Sequence, residues 1–118
     1  MAGGVVKDNG GKRLNEGKLR WDLMPYLAMC EVVKVFTLGA NKYDPWNWYR
    51  GMNYSVSFAS GTRHRIGWWM GEDLDKESGL NHLSHSIAND MINLTFALEK
   101  RSNLDDRIKM GIEGSQTL

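Results

Sequence analysis

Glu72, Asp73, Asp75 and Glu77 fall within six residues of one another, His82 and His85 follow three residues apart, and Asn89 and Asp90 come about one helical turn later. Carboxylates and imidazoles are the side chains that hold divalent cations and move protons, so the stretch from Arg63 to Asp90 reads as a site. Several carboxylates brought together repel one another unless a cation neutralises them, and hard oxygen donors suit Mg²⁺ or Mn²⁺. Acid runs in turns are also ordinary helix caps, with Asp75 or Ser78 as the candidate here. What favours ligation by Glu72, Asp75 and Glu77 is their company: His82-x-x-His85 adds two ligands or acid–base groups. Early in a helix, the positive end of the dipole favours the neutral imidazole that binds metal or accepts a proton.

The elements that must position these groups are helical. An α-helix advances about 100° per residue, and on that spacing Leu80, Leu83, Ile87, Met91, Leu94 and Leu98 form an apolar stripe that predicts a core face. His82, His85, Asn89 and Phe96 fall on the opposite side, and Asp90 is the only charged residue from Ser78 to Leu98. This helix therefore has no freely solvated face, and its His/Asn side should line a polar interior. A preceding helix runs from a cap at Asn53 or Ser55 to about Met70, with Val56, Ala59, Arg63, Ile66 and Met70 at helical spacing. That register turns Arg63 inward, where a guanidinium needs a carboxylate or an anionic ligand; its neighbour His64 reads as structural or surface. The first helix begins at Pro25 and is expected to stop at Gly39, with Leu27, Cys30, Val33 or Lys34, and Thr37 or Leu38 on one side and Glu31 as its one acid.

Between the first two helices lies Gly39 to Gly51, broken by Asp44-Pro45 and rich in aromatics. Trp46 and Trp48 could plug one end of a small core. The same loop could also stack a base on an aromatic face, read its edge with Asn47 and meet a phosphate with Lys42. Upstream, Lys18 and Arg20 lead through Trp21 to Pro25; they form a solvated basic patch unless they fold back toward the acidic stretch and hold phosphate oxygens.

A chain of 118 residues with net charge +1 predicts one domain and argues against nucleic-acid binding, which calls for a basic excess. One cysteine, Cys30, excludes an intramolecular disulfide framework. No apolar run reaches the roughly 18 residues of a membrane span, and the glycine-rich start lacks a signal-peptide core, so the expected compartment is the cytoplasm. Residues 1–16 should be flexible, residues 17–108 the helical domain and residues 109–118 a frayed tail. The fold class is all-α, a small bundle of three main helices completed by oligomerisation, because another copy must cover the second face of the last helix.

The ordered set Gly17-Lys-Leu-Arg-Trp-Asp-Leu-Met-Pro25, Gly39-Ala-Asn-Lys-Tyr43 with Asn47-Trp48, Arg63-His64, Gly71-Glu72-x-x-Asp75-x-Glu77-Ser78-Gly79-Leu80-x-His82-x-x-His85 and Asn89 resembles the phage-encoded dATP/dGTP diphosphohydrolases. That family is related in function, and by resemblance in fold, to the all-α MazG-like pyrophosphohydrolases. The resemblance implies cleavage of a purine deoxynucleoside triphosphate to the monophosphate and pyrophosphate, with Mg²⁺ or Mn²⁺, in a dimer or tetramer acting on the nucleotide pool of an infected cell. Under it, Glu72, Asp75, Glu77, His82 and His85 are the catalytic and metal-ligand candidates, with Glu31 as a further ligand. Lys18, Arg20, Lys42, Tyr43, Asn47, Trp48, Arg63 and Asn89 are the substrate-binding candidates, and Asn89 could also orient a histidine one turn away. The chain departs from the MazG-like pattern, having neither Glu-Glu-x-x-Glu nor Glu-x-x-Asp in that form. Two other classes compete: a nucleotide-binding sponge or sensor without turnover, and a purely structural helical domain. The uncharged polar helix face weighs against the last.

Overall fold

A computed structural model describes residues 10–111. The expected loose ends, residues 1–16 and 109–118, therefore lie partly outside the described residues. A 3₁₀ turn at Trp21–Leu23 leads to helix α1, Tyr26–Lys42; a second at Asn47–Arg50 leads to α2, Tyr54–Trp69; α3 is His82–Leu98, and a last 3₁₀ turn is Ser102–Leu104. The only β pairing among the described residues is an isolated antiparallel bridge between Leu74 and Asn81. The all-α expectation holds, with three main helices. None of them is long and apolar enough to cross a membrane.

Helix α1 does not stop at Gly39. Glycine inside a helix costs about 1 kcal/mol relative to alanine but does not terminate it, and the helix runs one turn further, until Tyr43, Asp44 and Pro45 end it. That extra turn carries Asn41 and Lys42 toward α3. Pro25 occupies the N-cap position rather than the first helical one, its carbonyl accepting the Met29 amide at 2.9 Å. At the start of α2 the Asn53 side chain makes no cap. The Asp106 carboxylate does so instead, accepting the Ser55 amide at 2.9 Å and the Ser55 hydroxyl, an anion at the positive end of the helix.

Helix α3 lies between the other two, packing along α2 and, less extensively, on α1. The α2–α3 seam is made of small and polar side chains: Ser57 and Gly61 on α2, and His82 and Ser86 on α3, are buried. A Cβ at Gly61 would lie 3.1 Å from Asn89 Cβ, so glycine there permits the close approach. At the far end of α3, Phe96 is fully buried, covered by the Trp48 ring at 5.9 Å and by the Arg101 guanidinium, 4.8 Å from its centroid. Burying such a side chain contributes about 1.5–3 kcal/mol.

The apolar stripes lie elsewhere. Leu80, just before α3, and Leu83 on it are half-buried, whereas Ile87, Met91, Leu94 and Leu98 are exposed, from 41% to 74%. On α2 the inward register is Ser57, Gly61 and His64, about one residue away from the expected one, so Val56, Ile66, Met70 and Arg63 face out. On α1, Leu27, Val33 and Leu38 are exposed and Val32 is buried. Phe96, Ala88, Val32 and Leu104 are the buried hydrophobic residues among those described, and the Cα radius of gyration is 18.7 Å, against about 13 Å for a compact domain of 100 residues. Helical periodicity locates an apolar face, but the helices meet through the surfaces that allow their backbones closest.

Candidate active site at the α2–α3 seam

The ends of α2 and α3 and the turn between them build the site. Gly71, at φ +100°, ends α2 with a paired lock: the Gly71 amide donates to the Trp68 carbonyl and the Glu72 amide to the Gly67 carbonyl, both at 3.0 Å. This Schellman arrangement needs a left-handed residue, which glycine supplies, and it delivers Glu72 to the first turn of α3. The chain then reverses around Asp75, whose amide donates to the Leu80 carbonyl at 2.8 Å and whose carboxylate accepts the Ser78 amide at 2.8 Å. The α3 cap is neither Asp75 nor Ser78 but Asn81, which accepts the Leu83 amide at 2.8 Å. His82 therefore starts the helix against Gly67, where an added Cβ would stand 3.1 Å from its Nε2.

Three imidazoles meet here. His64 Nδ1 lies 2.9 Å from His82 Nδ1, and the His64 ring stacks on His85 with centroids 4.3 Å apart and planes 10° apart. His82 Nε2 meets Glu72 Oε1 at 2.6 Å. His85 Nε2 lies 2.6 Å from Ser78 Oγ and 3.9 Å from Asp75 Oδ2. Ser78 and Asp75 thus approach the same ring nitrogen, so the group is not a Ser–His–Asp relay, in which the acid holds the far nitrogen. One ligand atom each from His64, Asp75 and His82 fall within 4.8 Å of one another.

The electrostatics favour neutral His64 and His85 rings beside ionised acids. Burial lowers the pKa of His64, helped by the charge of His85 and opposed by Asp75; burial lowers that of His85 as well, again opposed by Asp75. Burial would raise Asp75, but the Ser78 amide and hydroxyl, with His64 and His85, hold it below its ordinary value. The hydrogen bond from His82 lowers Glu72.

Two cavities share the last turns of α1. One, of about 540 Å³, is lined by Leu38, Asn41, Lys42, His64, Asp75, Glu77, Ser78 and His85. The other is a largely apolar groove of about 1200 Å³ between α1, the aromatic loop and α3, with Phe36, Tyr43, Trp46, Trp48, Tyr49 and Ile92 among its walls. Trp46 holds a left-handed backbone at φ +64° at this groove and remains largely exposed, while Trp48 packs on Phe36 and Phe96.

The expected residues divide accordingly. Asp75, His82 and His85 are brought together, with Glu72 behind His82. Glu77 stays at the rim, its side chain 82% exposed and 3.4 Å from Lys42 Nζ. The turn acids thus do not converge on one point as an all-carboxylate Mg²⁺ site requires. Glu31 pairs with Lys34 at 2.5 Å, about two turns before Leu38, and lines neither cavity. Tyr43, Asn47, Trp48 and Asn89 line the groove. Asn89 does not orient a histidine ring: its amide donates to the His85 carbonyl at 2.9 Å and to Ser60 Oγ at 3.4 Å. Arg63 is exposed rather than turned inward, because α2 is rotated. Lys18 is exposed, Arg20 is paired with Asp22 at 2.7 Å, and neither lines a cavity. The sequence reading passed over His64 and Ser78. The signal for His64 was the stripe Ser57, Gly61, His64, small residues at helical spacing that mark a close helix contact.

Fold and site together define a small all-α protein built around a histidine–carboxylate cluster with an aromatic groove beside it. The chain belongs to the family described as dATP/dGTP diphosphohydrolase, N-terminal, whose model matches residues 8–107. A curated relative, the dATP/dGTP diphosphohydrolase of Salmonella phage PMBT28, is 29% identical over 97 residues, covering 82% of this chain and 33% of the relative. The chain thus spans about a third of the relative's length. No solved structure matches.

Proposed function

We propose that this chain hydrolyses a purine deoxynucleoside triphosphate, dATP or dGTP, to the monophosphate and pyrophosphate, and so reshapes the nucleotide pool in the cytoplasm of a phage-infected cell. The observation that carries this reading is that the aromatic groove and the histidine–carboxylate cavity both border the last turn of α1, the groove at Gly39, Ala40 and Tyr43 and the cavity at Leu38, Asn41 and Lys42. A base can stack against Trp46, Tyr43 and Tyr49, with Asn47 and Asn89 available to its edges. Lys42, at the wall of the histidine cavity, is placed for the phosphates, and its ammonium lies beside the exposed Glu77 and over the Tyr43 ring.

In the reaction a water oxygen bonds to the α-phosphorus, the bond to the α,β-bridging oxygen breaks, and pyrophosphate leaves with that oxygen. The proton released by the water goes to His85, which burial keeps neutral and whose Nε2 shares a proton with Ser78. A divalent cation, when bound, would neutralise phosphate charge and polarise the phosphorus centre; the donors that fit one are the imidazoles with Asp75. The exposed apolar stripes support an assembly of at least two copies, because a protomer with so few buried hydrophobic residues lacks the core that a stable domain needs.

The test is incubation of the purified chain with each common dNTP and NTP and divalent cations, with ion-exchange separation of products. Deoxynucleoside monophosphate and pyrophosphate from dATP or dGTP are expected, and Asp75→Asn should lower the rate by at least about 10²-fold. A second reading, a nucleotide binder without turnover, is favoured by one observation, the failure of Glu72, Asp75 and Glu77 to converge. Tight nucleotide binding with no product under any cation would replace the hydrolase reading with that one.

A further inference from the structure

Two imidazoles that face each other nitrogen to nitrogen admit two explanations. Either one ring donates a proton to the other, or both turn lone pairs toward a shared cation. For His64 and His82 the separation of 2.9 Å fits the first directly and the second with a small opening of the pair, since tetrahedral ligands about 2.05 Å from one ion lie about 3.3 Å apart. The other ring nitrogen of His82 decides what that ring can offer. Its Nε2 is 2.6 Å from the Glu72 carboxylate, which only accepts. Nε2 therefore carries a proton, and the tautomer with Nε2–H alone presents a lone pair at Nδ1, toward His64.

Glu72 is held in this role by the backbone, because the amide lock after Gly71 fixes it against the first turn of α3. A carboxylate on the far nitrogen is also the partner that metal-ligating histidines usually have; it sets the tautomer and raises the basicity of the ligating nitrogen. His64 is fixed in plane by its stack on His85. Asp75 supplies the third donor, and the Ser78 amide takes only one of its acceptor sites. Gly67 leaves room beneath the His82 ring that any side chain would occupy. Five features, on two helices and the turn between them, thus serve one point in space.

We infer that His64 Nδ1, His82 Nδ1 and the Asp75 carboxylate form a divalent-metal site of the two-imidazole, one-carboxylate kind, with Glu72 as the positioning residue for His82. Such a donor set prefers Mn²⁺, Co²⁺ or Zn²⁺ to Mg²⁺, because Mg²⁺ favours oxygen ligands and sheds its water reluctantly. Glu77 and Glu31 are not ligands. The inference rests on the proposed hydrolysis for what the site is used for, whereas its test reads binding alone.

The test uses tag-free, metal-stripped protein labelled with ¹⁵N at histidine. Long-range ¹H–¹⁵N spectra should show His82 protonated at Nε2 before metal is added. Saturation with Zn²⁺ should shift Nδ1 of both His64 and His82, and saturation with Mg²⁺ should shift neither. Calorimetry should show Zn²⁺ or Co²⁺ binding lost in His64→Gln and weakened roughly 10- to 100-fold in Glu72→Gln, with circular dichroism confirming that both variants remain helical. Unmoved His64 and His82 resonances in the folded wild type would overturn the site, and so would Mg²⁺ binding as tightly as Zn²⁺. Because the wild-type spectra decide, a variant that fails to fold cannot rescue or sink the idea. Zn²⁺ bound at these nitrogens without any nucleotide turnover would remove the hydrolase reading and keep this one; turnover with Mg²⁺ and no imidazole shift would do the reverse.

Discussion

The α2–α3 seam and the outer stripes of the same helices have opposite chemistries. In the seam, serine, glycine and histidine are buried; on the outside, Val56, Ile66, Ile87, Met91, Leu94 and Leu98 meet solvent. A seam of small residues brings two backbones close and holds polar side chains where they can be satisfied only by one another or by a ligand. It is suited to precision rather than to adhesion, since it removes little apolar surface from water. The outer stripes have the adhesive surface and are left uncovered by the described residues of the protomer. The division teaches that the contacts that organise the chemistry can be separate from the surfaces that carry most of the apolar area.

Breaking that division should have its largest effect at the outer stripe. Met91→Glu with Leu94→Glu should convert the proposed assembly to monomers in sedimentation equilibrium and lower the thermal midpoint with it. A wild type that is monomeric at micromolar concentration and still fully folded would remove the contrast. Next comes the seam. Gly61→Val places a branched side chain where a Cβ alone already stands 3.1 Å from Asn89, so it should cost about 1–3 kcal/mol in denaturant unfolding and disturb the histidine cluster. Thr62, one position along α2 and outside the buried seam, is the contrast, where Thr62→Val should change stability far less. Loss of the α3 cap in Asn81→Ala should cost about 1 kcal/mol, read as a fall in midpoint and in protection of the Leu83 amide from hydrogen exchange.

The smallest effect is on pH. In metal-free protein the folded state lowers the pKa of His64 and His85 from 6.5, so below that value the unfolded chain binds more protons than the folded one. Their neutral rings contribute stability that is fully present above about pH 6.5 and is lost as pH falls through the unfolded value toward the folded one. The carboxylates Glu72 and Asp75, also lowered, add a loss in the same direction at more acid pH. Thermal midpoints measured from pH 8 downward should therefore begin to fall near neutrality, and a flat profile from pH 7 to pH 5 would contradict the buried neutral rings.

Much was legible in residue order. Three helices, the breakers at Asp44-Pro45 and Gly71 to Gly79, the grouping of Asp75, His82 and His85, and the uncharged polar face of α3 all follow from local chemistry, because helical spacing, caps and turns are set within a few residues. The family could be read from the order of its motifs for the same reason, and the family match bears that out. What the sequence could not carry was rotation. Whether Arg63 or His64 faces α3 depends on about 100° of turn about the α2 axis, and periodicity chose the apolar face. The structure chose the small one, because Ser57 and Gly61 let two helix backbones approach where Val56 and Ile66 would hold them apart. That single choice brought His64 onto His82 and left Arg63 outside. Local sequence determined which groups the protein has for chemistry; only the packing of two helices, a contact between residues 18 apart in the chain for His64 and His82, decided which of them meet.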